Sequence, residues 1–98
     1  MAHLTNQQKD DIRLSRDIYC NLFDDSDAIV FVHEPKYRNF YVFGSQARRL
    51  KLIINIHGFE IVYPKSYIDS EIYYEIPDDD FYSLLAILVC FEEKILIV

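Results

Sequence analysis

Apolar and polar positions along the chain alternate with two different periods. From Thr5 the polar run NQQKDDIRLSRDIYCNLF favours a helix, and Ile12, Leu14, Ile18, Tyr19, Leu22 and Phe23 mark one apolar side. Thr5 and Gln8 have the spacing of a capping box, which predicts a helix over about 5–23. Two runs rich in β-branched and aromatic residues follow, AIVFVHEP (28–35) and NFYVFGS (39–45), separated by Lys36, Tyr37 and Arg38. They predict antiparallel strands joined by a short turn. QARRLKLIINIH reads as a second helix, with Ser45 as its cap and Gly58 ending it in the left-handed conformation; the Ile-rich end also suits a hairpin turning at His57-Gly58. FEIVYP (59–64) predicts a strand, and SYIDSEIYYEIP a longer one. In the latter, Ile68, Ser70, Ile72, Tyr74 and Ile76 fall on one face and Asp69, Glu71, Tyr73 and Glu75 on the other. Pro77 ends it. Asp78 to Asp80 open a last helix, where carboxylates suit the positive end of the helix dipole, and ILIV is a short strand or a packed tail.

The order αββαββα predicts an α+β fold: a single two-layer domain over residues 1–98. Its antiparallel sheet has about four strands, with helices on one side and room for a short C-terminal strand. Half the residues are hydrophobic and there are only two Gly and three Pro, which excludes extended disorder. The longest apolar run, LLAILVCF, is too short to cross a bilayer, and the N-terminus lacks a signal-peptide pattern. Cys20 and Cys90 stand far apart with no metal-ligand spacing; they read as reduced, buried thiols of a cytoplasmic protein.

Charge changes the picture. Residues 1–66 carry eight acids and nine bases, whereas residues 67–98 carry eight acids and one base, Lys94, so the net −6 belongs to the C-terminal third. Within 66–83, six carboxylates and five aromatic rings occur with no Lys or Arg. Such a surface repels nucleic acid and suits a basic protein. The opposite reading is a solvated face that keeps an aromatic-rich chain in solution.

Chemistry offers less. FGSQARR (43–49) is similar to the FGSxAR opening of minimal nucleotidyltransferases, and that resemblance implies a phosphate-binding turn at Gly44-Ser45. The Asp-x-Asp pair that those enzymes carry some ten residues on is missing, since no carboxylate stands between Arg49 and Glu60. His3, His33 and His57 are not spaced as ligands, and read as surface or turn residues. Arg48, Arg49 and Lys51 form the one basic cluster, on the polar side of the second helix. No catalytic residue, metal site or cofactor is expected.

On a strand, side chains two apart stand at intervals of about 6.6 Å on one face. Asp69, Glu71 and Glu75 therefore predict a line of carboxylates with Tyr73 inserted, extended by Asp78, Asp79, Asp80 and Tyr82. Tyr brings apolar area and a hydroxyl at low entropic cost. The expectation is a small non-enzymatic inhibitor or immunity-type protein that blocks a basic partner: a toxin, a nuclease or another nucleic-acid-binding protein. It resembles, in size and acidity, immunity proteins of bacterial competition and phage-encoded inhibitors of host defence nucleases. Two other readings stand beside it. One is a homodimeric assembly module paired through an edge strand; the other is a degenerate nucleotide binder.

Overall fold

A computed structural model describes residues 4–23, 25–60, 63 and 66–98. Their elements are α1 (Asn6–Leu22), β1 (Ile29–Glu34), β2 (Asn39–Phe43), α2 (Gly44–Ile56), β3 (Ser66–Ile68), β4 (Glu71–Pro77), α3 (Asp78–Cys90) and β5 (Ile95–Ile97). The sheet runs β3-β4-β2-β1-β5, antiparallel throughout except that β5 lies parallel to β1. This is the α+β class expected, with the C-terminal strand present.

The pattern predicts helices on one side of the sheet. α2 and α3 do share a face, where Phe31, Phe40, Val42, Leu50, Ile76, Phe81 and Leu88 form one core. α1 covers the opposite face, over Val30, Val32, Tyr41, Phe43, Ile68 and Tyr73. The reason lies in the strands themselves. β1, β2 and β4 are apolar on both faces, so water must be excluded from both.

The capping box of α1 is formed: the Gln8 N–H donates to Thr5 Oγ1 (3.1 Å) and the Thr5 N–H to Gln8 Oε1 (2.8 Å). Only part of the predicted apolar side faces inward. Ile12, Ser15 and Tyr19 are buried, whereas Leu14, Ile18 and Leu22 are exposed. α2 begins one residue before Ser45, whose side chain does not cap it. Its end is as expected: Gly58 has φ +83°, and the Gly58 and Phe59 N–H groups donate to Asn55 and Ile54. The expected strand over 59–64 falls largely outside the described residues; Phe59, Glu60 and Tyr63 are not in a strand.

The long strand predicted from Ser66 is two strands. Asp69 (φ +49°) and Ser70 (φ +69°) turn the chain back in a two-residue hairpin, pairing Ile68 with Glu71. A sequence of clean alternation conceals such a turn because its two residues leave a period of two in phase.

Candidate functional site

The eight residues expected on one acidic surface are distributed among four environments. Asp69 sits in the β3–β4 turn and is held by α1. Arg13 grips it with two guanidinium nitrogens (2.8 and 3.1 Å), and Arg16 adds a third bond at 2.9 Å. The two guanidiniums hold the Asp69 carboxyl down at about 2, and the pair raises both arginines. This carboxylate already has its cations.

Glu71 lies against the start of α2. Gly44 has φ +58°, and a Cβ built there would come within 2.9 Å of Glu71 Oε1. An anion thus approaches the positive end of α2 from within the chain. The turn that resembles a nucleotide-phosphate cradle has a carboxylate beside it, which would repel a phosphate. The next residue of the motif, Gln46, is structural. Buried, it accepts from the Val30 N–H (2.8 Å) and donates to the carbonyls of Ala28 (3.0 Å) and Ser26 (3.4 Å), fixing the start of β1.

Tyr73 is 2% exposed, packed under α1 beside Tyr41 and Phe43. The exposed position expected for it is corrected: α1 occupies the space above that face. Burial, and then Glu75, raise its hydroxyl pKa. Glu75 is itself only half-exposed. It accepts from Asn39 Nδ2, and burial pushes its carboxyl up. Burial and the Glu75 charge likewise raise Tyr41. Asp69 and Tyr73 are therefore parts of the α1–sheet seam, Glu71 stands at the start of α2, and Glu75 is engaged by Asn39 of β2.

The remaining four residues stand together on the other side. Asp78, Asp79 and Asp80 form the first turn of α3, and Tyr82 follows with 68% exposure. Between them Phe81 is buried, stacked on Phe40 at 3.6 Å and edge-on to Phe31 at 5.0 Å. The Asp78 N–H donates to the Arg38 carbonyl (2.9 Å), tying the helix start to the β1–β2 turn. Asp78 Oδ1 lies 3.5 Å from His33 Nε2, and His33 stacks on Phe40. At that distance the contact is an ion pair only when His33 is protonated; Oδ1 is otherwise without a hydrogen-bond partner among the described residues. Asp79 and Asp80 are exposed and make no ion pair among the described residues. A shallow groove lined by Tyr37, Arg38, Asn39 and Pro77 runs up to Asp78 and Asp79.

Elsewhere, Arg48, Arg49 and Lys51 are exposed on α2, as their spacing predicts. His57 stacks on Phe91 at 3.8 Å and approaches Glu93, joining the ends of α2 and α3. Cys20 and Cys90 are exposed, contrary to the buried positions expected of thiols in apolar helices. Among the described residues no group of three His, Cys, Asp or Glu side chains converges to hold a metal, and no helix is long and apolar enough to cross a membrane. No protein-family model matches the chain, and no curated protein or solved structure matches it.

Arg13 and Arg16 are the residues the sequence reading passed over. No local signal points from them to Asp69, because Asp10 and Asp17 on the same helix are nearer acids and also pair with them.

Proposed function

We propose that this protein is a small acidic binding protein of the inhibitor or immunity type. It occludes a basic site on a toxin, nuclease or other nucleic-acid-handling protein, acts in the cytoplasm, and carries out no reaction of its own. The observation that carries this reading is the first turn of α3, where Asp79 and Asp80 are exposed and make no ion pair among the described residues, and Tyr82 stands exposed one turn away. Phe81 pins that turn to the sheet, so the anions and the ring are presented on a rigid frame and little order is lost on docking. Acids that are already paired, such as Asp69, contribute little to steering, whereas unpaired ones raise the encounter rate of a basic partner.

The test is affinity capture from the source cells at low and high salt, with wild type beside Asp79→Lys/Asp80→Lys/Tyr82→Ala. The expected result is a basic protein that is lost at high salt and absent from the variant. Identical captures by the two proteins, or none, would remove the acidic helix start as a recognition surface.

A further inference from the structure

β5 forms one edge of the sheet, bonded to β1 on its inner side. The inner bonds use Lys94 and Val98: the Ile29 N–H donates to the Lys94 carbonyl, the Val98 N–H to Phe31, and the His33 N–H to the Val98 carbonyl. Backbone groups alternate in direction along a strand, so the N–H and C=O of Ile95 and Ile97 point to the open edge. Natural edges are usually blunted by charge, proline or a bulge. Ile95 to Val98 contain none of these.

A second apolar feature lies on α1. Leu14, Ile18 and Leu22 recur every fourth residue of α1 and are 61%, 38% and 70% exposed. A helix turns about 100° per residue, which puts them on the flank opposite Arg13 and Arg16. Those arginines reach the β3–β4 turn, whereas Asp11, in line with the apolar flank, reaches Lys36 and Tyr37 of the β1–β2 turn. The flank therefore looks away from β3 toward the β1 side of the sheet, beyond which lies β5. Leu96 of β5 packs into the core beneath α1.

We propose that this side docks a second copy of the chain, β5 pairing antiparallel with β5 across a two-fold axis and the two α1 stripes meeting over the seam. Two five-stranded sheets then join as one of ten strands. Three arguments select a second copy. An open strand edge is completed only by another strand, and antiparallel pairing of an edge with itself is self-complementary and closes at two. Two chains of net charge −6 repel, and the one carboxylate in line with this stripe, Asp11, is already paired with Lys36 and accepts from the Tyr37 hydroxyl. The exposed parts of Leu14, Ile18, Leu22, Ile97 and Val98 amount to roughly 440 Å² a copy, about 900 Å² for the pair, which comes close to the ~1,000 Å² of a small specific interface before the paired backbone edges are added. The inference is independent of the acidic helix start.

The experiment is sedimentation equilibrium of the purified chain over a concentration series extending to high micromolar. Wild type is expected at twice the 11.7 kDa chain mass. Ile97→Pro removes an outward N–H without touching the inner bonds, and Leu14→Glu/Leu22→Glu places charges on the stripe; each is expected to sediment at the mass of one chain while keeping the wild-type circular dichroism spectrum. A wild type that stays at one chain mass overturns the proposal. So does a dimer that survives both folded variants, or growth beyond two copies.

Discussion

At Asp69 one side chain closes a turn and fastens a helix. Its φ of +49° is tolerated by Asp and Asn, so Asp69→Asn keeps the backbone conformation and removes only the charge that Arg13 and Arg16 share. Because the folded-state carboxyl is depressed to about 2 from an ordinary 3.8, its contribution is fully present above that ordinary value and is lost as pH falls through the folded one. Thermal melts should show Asp69→Asn less stable than wild type at neutral pH, with the gap closing between pH of about 4 and about 2. Glu75 has the opposite sign. Burial raises its carboxyl, so its ionisation opposes folding as pH rises through and beyond the ordinary value of 4.5. Glu75→Gln retains an acceptor for Asn39, and should raise the melting temperature at pH 7 while matching wild type in acid. A lower melting temperature at pH 7 would show that the charge itself is needed.

Among the elements, helix ends separate what is optimised from what is not. α2 and α3 close with the same pair of backbone bonds, yet α2 uses Gly58 at the left-handed position and α3 uses Glu92, with φ +60°. Glu92→Gly should therefore gain about 1 kcal/mol, seen as a melting temperature higher by roughly 4–8 °C. Gln46→Leu should lose about 1–3 kcal/mol in denaturant unfolding, since it leaves the buried Val30 N–H without its acceptor. The same elements show how far the sequence could be read. The capping box, the Gly58 stop, the β1–β2 pair and the α3 start were legible because each depends on neighbours within a few positions. The β3–β4 turn was not, because Asp69-Ser70 adds two residues, leaves the alternation in phase and has no Gly or Pro to mark it. The placement of α1 was half-legible. Its two apolar stripes, at Ile12-Tyr19 and at Leu14-Ile18-Leu22, are distinguished only by which one meets the sheet.

For the whole molecule, the decisive fact is that the sheet is covered on both faces. A strand row of carboxylates with a tyrosine among them looks like an exposed surface until a helix is laid over it. Asp69 and Tyr73 then serve the seam, Glu71 and Glu75 are taken up by Gly44 and Asn39, and the outward acidity of this segment passes to α3. That division follows from long-range packing between residues 13 and 69, which no local pattern encodes. It also changes which variants inform on binding: lysines at Asp69 or Glu75 would disturb the fold, whereas lysines at Asp79 and Asp80 change exposed charges and cost only the helix-dipole contribution, about 0.3–1 kcal/mol each. The most direct test of the account is the association rate with the captured basic partner, measured against ionic strength for wild type, Asp79→Lys/Asp80→Lys and Asp69→Asn. The account predicts a steep fall with salt for wild type and for Asp69→Asn, and a slow, nearly flat rate for the α3 variant. A salt dependence that survives the α3 lysines, or one that disappears with Asp69→Asn, would contradict it.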